Sequence, residues 1–400
     1  MEGQAREESE RQPCVGLVLP GGGARGAYQV GVLSAIADIV PGNTNPFPVI
    51  TGTSVGSINA VSIASRADNF KLAVRRLAKM WCKLHTDNIY RTDSATILRC
   101  SLRWLASLTL GGLGVANPES FLDNAPLREL LSGDLDLSHI DKAIQSGDLR
   151  AVAVTASSYN RGRAVSFFQA KHGIGGWERA RRDGVRQGLT VDHLIGSSSL
   201  PFIFPAQRIG KEYYGDGSLR LTAPLSPAIR LGAERILVIG IRDAKPDEAP
   251  SNQVMPRPTL GDLGGYMVDL IFMENLNADI ERLTRINSTL SLLDAEQAKR
   301  TRLRPIEIMT ILPSEDLRSI AGRHAYEMPR TIRTLLRGIG AWHEGWRLVS
   351  YLLFESPYLT ELVALGYRDA MDQREALLNF LQPHGTPEAA SQEQGVVAAK

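Results

Sequence analysis

Gly52-Thr53-Ser54-Val55-Gly56 sets a serine between two glycines, the G-x-S-x-G spacing of a nucleophile elbow. A serine on a sharp turn presents its hydroxyl to a ligand. Flanking glycines relieve backbone crowding, and the helix start behind adds positive potential where negative charge develops. The same pentapeptide also reads as a helix cap, in which Ser54 or Thr53 satisfies the first amides of the next helix. A second segment, Gly21-Gly22-Gly23-Ala24-Arg25-Gly26, follows an apolar run. Consecutive glycines there can bring N–H groups close to an anion, either a phosphate or a tetrahedral oxyanion. Its Gly21-x-Gly23-x-x-Gly26 spacing fits the dinucleotide fingerprint, but Ile50-Thr51-Gly52-Thr53-Ser54 lacks the acidic residue that fingerprint wants after the second strand. A plain tight turn is the remaining reading. The third segment, Tyr214-Gly215-Asp216-Gly217-Ser218, sets a carboxylate between glycines, which in isolation is a simple turn. It gains interest from the serines and prolines of 197–205, which predict a rigid loop leading into a short hairpin.

Apolar periodicity supplies the elements that must hold these segments. Val15 to Pro20 has strand length, and a helix is expected over 28–40 with Val32, Leu33, Ile36 and Ile39 as its apolar positions. A second strand is expected within 46–53 and a second helix over 55–65. That β-turn-α-β-turn-α order favours a parallel sheet covered by helices. Further strands are expected at 150–155, 164–169, 235–241 and 307–312, with helical excursions over roughly 70–145 and 260–300. Residues 246–258 read as a loop, and 342–381 as helix broken at Pro357. Within the first excursion, 97–110 can form an amphipathic helix with Leu98, Leu102, Leu105 and Leu108 on one face and Arg99 and Arg103 on another. It either packs on the core or docks on lipid.

The 400 residues are 43% hydrophobic and 22% charged, an ordinary globular composition. A net charge of +2 gives no reason to expect nucleic acid as a partner. Three cysteines, Cys14, Cys82 and Cys100, without a Cys-x-x-Cys pair, suggest neither a disulfide framework nor a zinc site and fit a reducing compartment. No His-x-x-x-His pair occurs, so no metal is expected. The polar, acidic N-terminus is unlike a signal peptide, and no apolar run reaches the roughly 18 residues of a spanning helix. The expected location is cytoplasmic, with peripheral membrane association as an added expectation.

Taken together and in this order, the three segments resemble those of the patatin-like phospholipases, a family with a G-G-G-x-R/K-G loop, a G-x-S-x-G elbow and a D-G-G/A motif. The stretch Ser198-Ser199-Leu200-Pro201, continuing to Phe204-Pro205, is also similar to the family's, as is the run from Ala223 to Arg235. The resemblance covers 14–243 and extends more loosely to about 340. It implies an α/β fold, a mainly parallel sheet sandwiched by helices, with helical insertions and a helical C-terminal extension. The expected organisation is a disordered leader over 1–13, a catalytic domain over 14–345, the extension over 346–383 and a mobile tail over 384–400. It further implies a Ser-Asp dyad without histidine. By motif position Ser54 is the nucleophile and Asp216 the base. Gly22, Gly23 and Arg25 supply oxyanion-hole amides, and Gly52 and Gly56 frame the elbow. Ser218 departs from the pattern, standing where the family usually has glycine or alanine. No metal or organic cofactor is implied, and the substrate class is a phospholipid, lysophospholipid or other fatty-acyl ester.

A Ser-Asp-His chain order would formally admit His324 or His343 as a triad member. Each sits in a charge-rich helical pattern, and the elbow comes after only one β-α unit, so the dyad is favoured. Two rival functions stand beside hydrolysis. One is a nucleotide-binding module using the glycine-rich loop. The other is a lipid-binding protein that has lost catalysis.

Overall fold

Ten strands form a mixed sheet in a computed structural model that describes residues 13–93, 120–243, 257–301, 303–342 and 345–382. In chain order they are β1 (Val15–Leu19), β2 (Val49–Thr53), β3 (Ala151–Ser158), β4 (Arg163–Ala170), β5 (Trp177–Arg179), β6 (Arg182–Arg186), β7 (Gln207–Ile209), β8 (Glu212–Asp216), β9 (Arg235–Ile239) and β10 (Glu307–Ile311). The main path runs β10-β9-β1-β2-β3-β4-β6-β5, with β7 and β8 as a hairpin laid against β3. From β10 to β3 every pairing is parallel, while β3–β4 and the hairpin are antiparallel. The chain thus has the α/β fold expected, mainly parallel and flanked by helices.

β1, β2 and β9 are buried along their whole length, as strands covered on both faces must be. Alternation assigns their side chains to two cores. Leu17, Leu19, Leu237 and Ile239 belong to one, and Val18, Ile236 and Val238 to the other. The first core takes in the helices Gly26–Ile39, Val55–Ala64, Phe70–Trp81 and Ser356–Asp372. The second takes in the short helix Ser226–Arg230 and part of the long helix Leu260–Ser291, through Leu276 and Leu283.

Among the described residues, the expected strands and helices are present with shifted ends. β3 runs past its expected end to Ser158, and the added residues are the ones that pair with β8. β5 and β6 were not expected, since Trp177 to Arg186 is rich in charge and lacks apolar alternation. They form because β4 offers β6 a backbone edge. The stretch expected as helix broken at Pro357 is three helices, Arg347–Leu352, Ser356–Asp372 and Arg374–Leu381. Pro357 lies in the first turn of the second, where its missing N–H costs no intrahelical bond. These helices share the main core with the rest of the chain: Leu348, Val349, Tyr358, Leu362 and Phe380 are all buried in it. The amphipathic segment 97–110, the leader up to residue 12, the tail from 383 and Cys100 lie outside the described residues. Among the described residues, no helix is long and apolar enough to cross a membrane.

Candidate active site

Ser54 follows the last residue of β2 and precedes the helix Val55–Ala64. Its backbone sits at φ 53° and ψ −133°, outside the regions that a non-glycine residue prefers. Such a conformation costs on the order of 1–3 kcal/mol and persists only where the surroundings impose it. Two close backbone approaches impose it here. A Cβ on Gly52 would lie 2.2 Å from the Gly56 carbonyl oxygen, and one on Gly56 would lie 2.1 Å from that of Leu19. Only glycine fits at either position. A side chain then fixes the elbow amide. Ser54 N–H donates to Ser197 Oγ at 2.9 Å, and that hydroxyl donates to the Thr155 carbonyl at 2.6 Å.

Strand register brings Asp216 to the same place. The edge of β3 pairs with β2 up to Thr53 opposite Thr155. The next residue along that edge, Ala156, is opposite Asp216 of β8. β2 and β8 therefore meet end to end against one strand, and Ser54 and Asp216 lie at the junction. Asp216 N–H donates to the Ser199 carbonyl at 2.8 Å, and its Oδ1 accepts the Ser218 N–H at 2.9 Å. Ser218 thus supports the carboxylate through its amide.

Asp216 is fully buried, and among the described residues no donor meets hydrogen-bonding geometry at its Oδ2. Burial pushes the carboxyl up to about 6 from the ordinary carboxylate range, while the neighbouring Ser54 hydroxyl and Ser218 hold it lower than burial alone would. The cleft that contains both residues is walled largely by apolar side chains, among them Val55, Ile58, Leu131, Phe204 and Phe272. One further polar atom there is unsatisfied: Ser198 Oγ is buried without a partner among the described residues.

The glycine-rich loop borders the same cleft through Gly23. Gly23 adopts φ 54°, and a Cβ there would lie 2.3 Å from the Tyr351 carbonyl oxygen, so the position takes only glycine. Among the described residues, neither Gly22 N–H nor Gly23 N–H donates to a backbone carbonyl. The Arg25 amide, expected beside them at the oxyanion, is instead engaged by the Gly22 carbonyl at 3.2 Å. The loop closes as a short 3-10 turn, and its i→i+3 bond uses that N–H. The Arg25 side chain is 1% exposed. Its guanidinium donates to Ser350 Oγ at 3.0 and 2.7 Å, lies 3.5 Å from Asp269 and stacks 3.8 Å over the Tyr351 ring. Tyr351 in turn donates to Asp269 Oδ1 at 2.8 Å. The loop is thereby tied to the long helix and to the helix Arg347–Leu352.

Among the described residues, no histidine lines this cleft. His324 is held elsewhere, with Nδ1 2.8 Å from Glu327 and Nε2 2.6 Å from Glu361. His193 is buried edge-on against Phe167, and burial drives its pKa down to about 4. His343 lies outside the described residues. Phe272, Tyr351 and Ser197 were not singled out from sequence. Ser197 had a signal in the serine run, whereas Phe272 and Tyr351 are distant in the chain and carried none.

A model of the patatin-like phospholipase family matches residues 17–229, which contain all three segments. The chain belongs to the patatin-like phospholipase family. Over 88 residues it is 40% identical to the lysophospholipase nte1 of Aspergillus terreus and 41% identical to that of Aspergillus oryzae. Each match takes in 20% of this chain, and the chain spans only 5% of the length of each fungal protein. Among solved structures, human GIVD cytosolic phospholipase A2 aligns with a TM-score of 0.45 at 11% identity, covering 92% of this chain and 60% of that one. VipD from Legionella pneumophila aligns with a TM-score of 0.33 at 11% identity, covering 92% and 67%.

Proposed function

We propose that this protein is a lipid acyl hydrolase that cleaves carboxylic esters of phospholipids, lysophospholipids or related fatty-acyl esters through a Ser54–Asp216 dyad. The observation that carries this reading is the meeting of a serine on a strained elbow with a fully buried carboxylate in an apolar cleft. Asp216 accepts the Ser54 hydroxyl proton as Oγ attacks the ester carbonyl carbon, and the C=O electron pair moves to the oxygen. The Gly22 and Gly23 amides stabilise that oxyanion, and each such donor contributes about 3 kcal/mol. Collapse of the tetrahedral species expels the alcohol, which takes its proton from Asp216. Water then attacks the acyl-serine with Asp216 again as base, which releases the fatty acid and restores Ser54.

A carboxyl raised to about 6 suits that role. It is a stronger base than an ordinary aspartate, yet ionised at neutral pH. Apolar walls favour an acyl chain, and the unsatisfied Ser198 hydroxyl offers a donor to a substrate oxygen. On this reading the chain works at a lipid surface from the cytoplasm.

The test pairs a fluorophosphonate probe with turnover of lysophosphatidylcholine. Wild-type protein should be labelled and should release fatty acid, and Ser54→Ala should do neither. A protein that ignored the probe and bound nucleotide would replace this reading with the glycine loop as a phosphate cradle.

A further inference from the structure

A surface groove of about 430 Å³ runs beside the helix Phe70–Trp81. Arg66, Arg76, Lys79 and Lys83 line it, opposed by one acid, Asp134. Among the described residues none of these five side chains has an ionic or hydrogen-bonding partner. Some arginines elsewhere are matched, as Arg128 is by Asp192 and Arg161 by Glu212. The groove therefore concentrates uncompensated positive charge. It also abuts the cleft that holds Ser54, because Met80, Leu84 and Leu130 line both. The cleft itself has a cavity volume of about 60 Å³, too little for a fatty-acyl chain unless a wall moves. Met80 is a suitable moving part, being only half-buried and unbranched.

We infer that this groove docks the anionic surface of a phospholipid bilayer, and that the Met80–Leu84–Leu130 wall between groove and cleft is where an acyl chain enters. The choice of a lipid surface rests on the hydrolase reading above. Clustered Lys and Arg side chains are attracted to anionic leaflets within about a Debye length, so the contact is salt-sensitive. An apolar wall against the cations suits a lipid, which offers both charge and hydrocarbon.

The experiment compares wild type with Arg76→Glu/Lys79→Glu/Lys83→Glu, three exposed positions outside the catalytic machinery. Co-sedimentation uses vesicles of phosphatidylcholine alone and of phosphatidylcholine with phosphatidylglycerol, at low and high sodium chloride. Wild type should bind the anionic vesicles at least tenfold more tightly at low salt and lose that preference at high salt. The triple variant should lose the preference at both, while hydrolysing soluble p-nitrophenyl butyrate at the wild-type rate. The neutral variant Arg76→Ala/Lys79→Ala/Lys83→Ala should weaken binding in the same direction if charge reversal impairs folding. Equal vesicle binding by wild type and a folded variant would overturn the inference. So would salt-sensitive binding of a single-stranded oligonucleotide without binding to vesicles. If neither protein hydrolysed the soluble ester while vesicle binding still depended on the groove, the hydrolase reading would fail and the docking surface would stand.

Discussion

Asp216 keeps its carboxyl fully buried, and that has a cost in stability as well as, on the hydrolase reading, a use in catalysis. Its folded pKa, about 6, is higher than the 3.8 of an unfolded aspartate. Between those values the native state holds a proton that the unfolded chain has lost, so its contribution to stability declines as pH rises through that window and is constant above it. Asp216→Asn removes the term. The variant should be more stable than wild type above pH 6 by about 1–3 kcal/mol, with the difference vanishing below pH 4, as denaturant melts across pH would measure. Its kcat should fall by about 10²–10⁴-fold, and the wild-type kcat/KM should show an acidic limb near pH 6, where the base becomes protonated. Ser54 makes a parallel prediction from backbone strain. At φ 53° a glycine is at ease where serine is not. Ser54→Gly should abolish ester hydrolysis while raising thermal stability by about 1 kcal/mol, and a melting temperature below that of Ser54→Ala would count against strain at the elbow.

At the scale of elements, the helix Val191–Ser198 and the residue after it, Ser199, act as a jig between two strands. Ser197 holds the Ser54 amide and is anchored on Thr155 of β3, while the Ser199 carbonyl holds the Asp216 amide. One short stretch therefore sets Ser54 and Asp216, the proposed nucleophile and base, relative to each other. Ser197→Ala removes the acceptor from a buried N–H, which costs about 1–3 kcal/mol. It should also lower kcat by more than KM changes, because the elbow is left free to shift. Ser197→Thr, which keeps the hydroxyl, should recover part of the rate. An alanine variant with unchanged kcat and reduced stability would make Ser197 a structural residue alone.

Over the whole molecule, the two ends of the described chain are packed together. The helix Ser356–Asp372 lies against Gly26–Ile39 so closely that a Cβ on Gly31 would sit 2.0 Å from the Val363 carbonyl oxygen. One on Gly366 would sit 2.2 Å from that of Tyr28. Tyr28 also donates to Asp369 at 2.9 Å, and Tyr351, Leu352 and Phe354 wall the cleft. Deleting residues 346–382 should therefore remove soluble folded protein, not trim an appendage, because helix Gly26–Ile39 would be stripped of its cover and the Arg25 side chain of Ser350 and Tyr351. Soluble yield and near-ultraviolet circular dichroism are the measurements. A truncated protein that stayed soluble and kept esterase activity would show the segment to be dispensable.

The features readable along the chain were local ones. The elbow, the glycine loop and the aspartate turn were legible because each depends on residues within five or six positions, where glycine and serine have few interpretations. The strands β1 and β2 and their helices were legible because burial on both faces demands continuous apolar runs. Tertiary structure decided how the segments meet. The register that sets Thr53 and Asp216 on successive residues of β3 depends on three extra residues of that strand, Ala156 to Ser158, which no periodicity marked. It also decided that the Arg25 amide closes a turn while its side chain locks the loop, since Asp269, Ser350 and Tyr351 come from far along the chain. The raised pKa of Asp216 belongs to this level too, because desolvation is a property of what surrounds a carboxylate and not of its neighbours in sequence.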